Sequence, residues 1–600
     1  MKMTYLALSV SLLSVGLIAC NDDKDNTVET KPPVVEEATP NSIALSLLGR
    51  YETGIFEKSA AEIPAYDALS KRVFVVNAQK GMIDVLDVAN PAAPKHIAEL
   101  SARDYLADSE VNSVAVHNGI VALAVQAKNK TDPGIVVFFD SKELKYISQV
   151  QVGSLPDMLL FSPDGKNVLV ANEGEPNEDY SIDPEGTISI IDVSDIKLPK
   201  ATQVDFKAWN NKKAELVKAG VRIFGPNATV AQDLEPEYIT ISSDGKTAWA
   251  ALQENNAVAK IDIVAKKVTD IIPLGYKDHG LKDNALDVSD RDLDGKNGKI
   301  NIQAWSGLMG MYQPDAIAQY QSEGTTYLVT ANEGDSREWL KDDKAYFAGD
   351  LKAGYVEQIR VKDLFKSKGF DKKGDYPAHL QALSKDIKGA RLDPSVFSYC
   401  GASAKDPGLC RDDANLGRLN ITWNMGYDTL ADGSPKLDAD GYLNYKKIYA
   451  FGARSFSIWN TQGELVWDSG SEFERKLAEL FPNQFNTDHA EVAFDNRSDN
   501  KGPEPEGIAL GKIGKKTFAF IGLERMSGIM VYDISQAKKP VFVEYFTTRD
   551  FNSSDPLKQG DLGPEGLAFV TAKDSPNGKP MLIVGNEVSG STSIYQVNVK

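Results

Sequence analysis

Cysteine is scarce here, with three in 600 residues, and histidine is little commoner, with five. His96, His117, His279, His379 and His489 form no HExxH or similar spacing, so a histidine-based zinc centre lacks its ligands. Too few cysteines are present for a cysteine zinc site. There is no GxSxG, no P-loop and no GxGxxG after a strand, which leaves serine hydrolysis and nucleotide binding without support. Basic charge is short too: 66 Lys+Arg stand against 85 Asp+Glu, a net −19. A nucleic-acid partner is not expected, because phosphate binding needs a basic footprint. Cations, or substrates carried by cations, suit this balance better. Beyond the N-terminus no apolar run is long enough to span a bilayer.

What is present begins with a targeting segment over residues 1–20. Lys2 supplies the positive n-region, and Tyr5 to Ala19 is an apolar run too short for a mature span. It ends in Leu17-Ile18-Ala19-Cys20, which resembles a bacterial lipobox with Cys20 as the lipidated residue. An ordinary secretory signal with an incidental cysteine is the alternative. Residues 21–41 are acidic and Pro-rich and read as a disordered tether. About twenty residues of such chain span roughly 25 Å, which holds the domain at 42–600 near a membrane without entering it. Cys400 and Cys410, ten apart in a Gly/Pro/Ser-rich loop, are expected to pair in an oxidising compartment.

The most informative pattern is a strand repeat carrying two polar side chains at one fixed place. Five copies are doubly acidic: Asp157/Glu173, Glu237/Glu254, Asp315/Glu333, Glu506/Glu524 and Glu565/Glu587. Glu62/Gln79 and Asn112/Gln126 are weaker copies upstream. The first member opens a strand, as in LPDMLLF and EPEGIAL, and the second ends the next, as in VLVANEG and FIGLERM. Short Val/Ile-rich strands broken by Asp-Gly turns predict a meander. Repeats of this kind predict an all-β, seven-bladed β-propeller, with six or eight blades as alternatives. Blades are expected to start near Glu62, Asn112, Pro156, Pro236, Pro314, Pro505 and Pro564. Residues 43–52 form a strand with no blade of their own and are expected to close the last one. Residues 336–444 interrupt blade five as a mixed insertion. Other long segments, 204–233, 272–312 and 471–502, join blades; the helix-like stretches are AELVKAG in the first, EFERKLAELF in the last and PAHLQALSKDI in the insertion. Strand one starts and strand two ends on the same face of a propeller, so the acidic pairs form one ring near these loops.

Carboxylates crowded at one channel mouth must take up protons, cations or basic side chains. Calcium suits an all-oxygen ring, with another divalent metal as an alternative. Basic side chains close in sequence are Arg337, Arg497 and Arg525, with Arg454 after the insertion. A separate candidate is the loop Asp290-Arg-Asp292-Leu-Asp294-Gly295, which matches the opening of a calcium loop but has Asn301 at its twelfth position. The weak pairs at blades one and two place any bound metal off-axis, toward blades three to seven and beneath the blade-five insertion.

Several stretches resemble the choice-of-anchor I family of bacterial surface proteins, related to mesenchyme-specific cell-surface glycoproteins. They include LPDMLLFSPDGKNVLVANEGEP, GVRIFGPNATVAQDLEPEYI, YLVTANEGDSRE, FDNRSDNKGPEPEGI and AFIGLERMSGIMVYDI. VLDVANPAAPK and VYDISQAKKPVFV resemble LVIVD-type propeller repeats. The resemblance implies one extracytoplasmic domain on varied anchors, here the lipid at Cys20, in the periplasm or at the cell surface. Members often carry an alkaline-phosphatase label, and there is a looser similarity to calcium-dependent phytase propellers.

Two functions therefore stand. The first is a lipid-anchored propeller that binds calcium and a surface ligand or partner at its acidic face, as a monomer. The second is a metal-dependent phosphoesterase. There Glu173, Glu333, Glu506 and Glu565 hold metal, and Arg337, Arg454, Arg497 or Arg525 binds the phosphoester.

Overall fold

The computed structural model describes residues 38–370, 376–430 and 433–600. The signal segment, Cys20 and residues 21–37 of the tether lie outside these described residues. Seven four-stranded antiparallel sheets follow one another along the chain. Sheet I comprises Pro64–Asp67, Arg72–Asn77, Met82–Asp87 and Lys95–Leu100. The first strands of sheets II to VII are Glu110–His117, Pro156–Phe161, Ile239–Ile241, Ile317–Ser322, Pro505–Ile513 and Pro564–Val570. Sheet VII takes its fourth strand from the other end of the chain: Ile43–Glu52 pairs antiparallel with Ser591–Val599. Arg50 locks that strand, its Nε 2.7 Å from Asp561 Oδ1.

Burial follows the strand sequences. Second strands such as Arg72–Asn77 and Asn167–Asn172 are buried along almost their whole length, as apolar runs covered on both faces require. Fourth strands such as Lys200–Asp205 are mostly polar and exposed, which blunts a free edge. The Asp-Gly turns repeat in atomic detail. Ser162 donates to Asp164, which accepts from Lys166 N; Ser242, Asp244 and Lys246 do the same. Gly165 and Gly245 take φ of +69° and +70° in these turns, a region that costs glycine nothing.

Seven apolar clusters lie between successive sheets. Phe74, Val85 and Leu123 join sheets I and II; Phe456, Ile458 and Ile521 join V and VI. Val73, Val75, Met581 and Ile583 join sheet VII back to sheet I. The last sheet therefore packs on the first through buried apolar side chains.

The insertion has a larger reach than its sequence suggests. Ile448–Ala450, expected to resume the interrupted blade, instead pairs in parallel with Leu308–Met311. Both belong to a separate five-stranded sheet that also takes Tyr276–Asp278, Gln358–Arg360 and Asn420–Thr422. Sheet V resumes only at Ser455–Asn460. The connection over 272–312 and the insertion thus share one body, with its own core around Trp305, Phe365, Phe397, Leu416 and Tyr445. Cys400 and Cys410 form a disulfide within it. Helices occur at Lys213–Ala219, Ala378–Leu383 and Glu472–Leu480, within the three stretches expected to be helical.

Candidate functional site at the centre of the sheets

A cavity of about 180 Å³ lies where the first strands meet. Its wall includes Pro64, Asn112, Asp157, Tyr238, Asp315, Gly507 and Glu565, one residue from the start of each of the seven sheets. Asp157, Asp315 and Glu565 therefore meet at one cavity, while Glu237 and Glu506 reach it only through their neighbours Tyr238 and Gly507. In sheets II, III, VI and VII the pairing register slips by one residue at Asn112, Asp157, Glu506 and Glu565. Such a bulge re-aims a side chain, and here it falls on the repeated polar position. Glycine after the acid lets neighbouring strands close in. A Cβ on Gly507 would lie 1.8 Å from the Glu565 carbonyl oxygen, and one on Gly566 would lie 2.7 Å from Ile63 Cα. The bulges were not foreseen; Glu-Gly at 506–507 and 565–566 was their only signal.

The carboxylates at this centre are short of partners. Glu237, Glu254, Glu506 and Glu565 each have one buried oxygen without a hydrogen bond. By contrast Asn112 donates to Gln126 Oε1 at 3.0 Å, so the neutral pair satisfies itself. Burial comes first among the causes that raise the acids' proton affinity, and neighbouring carboxylates add to it. Asp157 is pushed up to about 7, by burial and then by Asp315 and Glu175. Asp315 is pushed up to about 7, by burial and then by Glu333. Glu62 reaches about 8, by burial and then by Glu587. Glu173, Glu237, Glu506 and Glu565 are driven well above the ordinary range. Glu565 retains some surface area because it lines the cavity, yet protein atoms surround it.

One side of the ring is neutralised by the protein itself. Glu504, fully buried, is contacted by Arg497 at 2.5 Å, Arg525 at 3.0 Å and Lys501 at 3.2 Å. Burial opposes its ionisation, but these three cations outweigh burial and hold it below the usual carboxylate range. Lys501 also contacts Glu333. Arg525 reaches Glu524 at 3.0 Å, and His489 Nδ1 lies 2.8 Å from the same oxygen. Glu504 and Lys501 were missed in the sequence. The repeated Glu-Pro-Glu at 235–237 and 504–506 was the available signal, since Glu235 likewise pairs with Arg337 at 2.8 Å.

Oxygens of Glu62, Glu565 and Glu587 lie within 4.8 Å of one another, as do ligand atoms of His489, Glu524 and Glu587, and of Glu333, Glu504 and Glu524. The third group already holds basic partners. Among the described residues none of the first group enters an ion pair, though His489 and Arg525 lie near enough to favour the charged form of Glu587. Glu62, whose repeat partner is Gln79, thus adds a carboxylate of sheet I to two of sheet VII.

The four arginines do not act together. Arg337 is buried against Asp233 at 2.7 Å and Glu235, and Arg454 against Glu474 at 2.7 Å. Arg454 also donates to the carbonyls of Asp287, Ser498 and Asn500. Arg337, Arg497 and Arg525 border a pocket of about 330 Å³ with Lys501, Glu254 and Asp335; Arg454 does not. Nor does the Asp290/Asp292/Asp294 loop form one ligand set. Asp290 is held by Arg418 at 2.7 and 2.9 Å. Exposed Asp294 caps its own turn through Lys296 N and Asn297 N. Asp292 alone turns inward.

The architecture defines a class first: an all-β protein of repeated four-stranded sheets with acidic residues gathered at their common centre. The choice-of-anchor I domain matches residues 62–537, and the chain belongs to that family. Gigasin-3a from Magallana gigas is 28% identical over 199 residues, covering 31% of this chain and 66% of its own length. The mesenchyme-specific cell surface glycoprotein of Strongylocentrotus purpuratus is 26% identical over 395 residues, covering 62% of this chain and 41% of its own. The chain thus spans about two-thirds and two-fifths of the length of these relatives. Among solved structures, Kuenenia stuttgartiensis hydrazine synthase aligns with TM-score 0.42 and 12% identity, over 92% of this chain and 100% of that one. The β-propeller domain of Myceliophteria thermophila Cps50 (Swd1) aligns at 0.39 and 7%, over 92% and 100%. These likenesses are too distant to add to the sheet topology. Among the described residues no helix is long and apolar enough to cross a membrane.

Proposed function

We propose that this chain is a seven-bladed β-propeller, lipid-anchored outside the cytoplasm through Cys20, whose centre binds a divalent cation of the calcium class. The cation organises the loop-decorated face for a surface ligand or partner. The observation that carries this reading is the central cavity, reached by residues of all seven sheets and lined by Asp157, Asp315 and Glu565, the last with a buried oxygen that has no partner. A buried carboxylate without a partner is costly, and an all-oxygen set suits a hard cation of high coordination number. Glu62, Glu565 and Glu587 would be its ligands, with Glu506 and Asp157 beside them. The cell-surface relative supports an extracytoplasmic site.

The phosphoesterase reading is less favoured, because Arg337 and Arg454 spend their donors on carboxylates and backbone carbonyls. The deciding experiment measures metal content of the purified protein, then calcium binding by calorimetry after chelation. Binding that falls at least about tenfold in Glu565→Gln is expected. Absence of both bound metal and calcium binding in the folded wild type would remove the reading. A Cys20→Ser variant is expected to leave the membrane fraction; retention there would remove the lipid anchor.

A further inference from the structure

Two long connections meet at a second group of carboxylates. One leads from sheet IV toward sheet V and carries Asp287 and Asp292; the other leads from sheet V to sheet VI and carries Asp495. Asp287 and Asp495 are fully buried and Asp292 is 6% exposed. Part of each carboxylate is anchored. Asp287 accepts from Asn301 N at 2.5 Å and Ser289 N at 3.4 Å. Asp292 Oδ1 accepts from Lys299 N at 2.9 Å, and Asp495 Oδ1 from Ser498 Oγ at 2.5 Å. The remaining oxygens, Asp292 Oδ2 and Asp495 Oδ2, are buried without a partner. Asn486, which donates to Ser498 Oγ at 2.9 Å, has its amide oxygen unpartnered as well. Asp495 Oδ2 faces the other connection directly: a Cβ on Gly298 would lie 1.9 Å from it.

No basic side chain answers this charge. None of the three carboxylates enters an ion pair among the described residues, and nearby Arg454 is committed to Glu474 and to backbone carbonyls. Glu474 adds a fourth carboxylate, accepting from Asp287 N at 3.1 Å. Burial, then the neighbouring acids, pushes Asp287 up to about 7 and Asp495 to about 9. Only oxygen donors are at hand, so a hard cation fits and a thiophilic one does not.

We propose that a divalent cation of the calcium class binds between Asp287, Asp292 and Asp495 and clamps these two connections together. The trio is more open than the groups at the ring whose ligand atoms lie within 4.8 Å of one another. Binding therefore draws the connections together and orders both. The site shares no ligand with Glu62, Glu565 and Glu587, so either can fail without the other.

The test uses the purified protein, first stripped with chelator and then given Ca²⁺. In Asp292→Asn and Asp495→Asn, calorimetry is expected to show one equivalent of calcium fewer than wild type, while Glu565→Gln keeps that equivalent. Hydrogen exchange on the wild type needs no variant. Amides over 286–301 and 485–498 are expected to slow by at least about tenfold on adding Ca²⁺, the signature of a stabilised local unit. Unchanged stoichiometry in folded Asp292→Asn and Asp495→Asn would overturn the proposal. So would exchange over both segments that ignores Ca²⁺.

Discussion

Removing divalent cation should reverse the way stability depends on pH, and the structure supplies the size of the effect. Asp157 has an ordinary carboxyl pKa near 3.8 when exposed and is pushed up to about 7 in the fold, chiefly by burial. Without metal, the unfolded chain releases this proton between about pH 4 and 7 while the folded chain keeps it. The folded state then binds more protons than the unfolded one, so stability falls as pH rises through that window and levels off above it. A shift of about three pH units corresponds to roughly 4 kcal/mol for one such group. Unfolding entropy of roughly 2.1 cal/mol/K per residue gives about 1.2 kcal/mol/K for about 560 residues, so one group moves Tm by roughly 3 °C. Asp315 and Glu62 rise by similar amounts, to about 7 and about 8. The metal-free Tm should therefore fall by several degrees from pH 5 to 8. A bound cation keeps the same carboxylates ionised in the fold, so with Ca²⁺ the Tm should hold or rise over that range. Scanning calorimetry in chelator and in Ca²⁺ measures both curves. Superimposable curves, or a metal-free Tm that climbs from pH 5 to 8, would refute the reasoning.

Lys501→Met leaves Glu333 and Glu504 without their shared ammonium and should cost about 3–5 kcal/mol, read by denaturant unfolding; adding Glu333→Gln should recover part of it. Gly507→Ala drives a methyl into the Glu565 carbonyl and should lower stability by about 1–3 kcal/mol or more, with the calcium response weakened because the two first strands separate. Reducing Cys400–Cys410 opens a ten-residue separation inside the insertion and should cost about 2–3 kcal/mol locally. Proteolysis should then cut within 336–450 while the seven sheets stay intact; cutting spread evenly over the chain would count against a separate core there.

Much of the scaffold was legible because strand, turn and burial patterns are local. Alternating and continuous apolar runs marked the first and second strands, and Asp-Gly marked the hairpins at 164–165 and 244–245. The spare strand at 43–52 could be counted against an incomplete last unit. Convergence of Asp157, Asp315 and Glu565 followed from repeat position alone, because each opens the first strand of its sheet. The departures arose where partners are distant in sequence. Ile448–Ala450 reads like any short strand, yet its partner is Leu308–Met311, and nothing local selects that pairing over sheet V. Likewise Asp290, Asp292 and Asp294 look equivalent in alternation, but Arg418 captures the first and solvent the third.

Sequence by itself determined the repeat, its acidic position, the insertion and the paired cysteines, since each is a matter of spacing along one chain. Only the tertiary structure decided how the charge is shared. Lys501, Arg497 and Arg525 neutralise one side of the ring, while Glu62, Glu565 and Glu587 gather on the other with no ion pair among the described residues. That division depends on which side chains meet across sheets. Electrostatic energy in a buried site depends on distance and surroundings, and neither can be read from the order of residues.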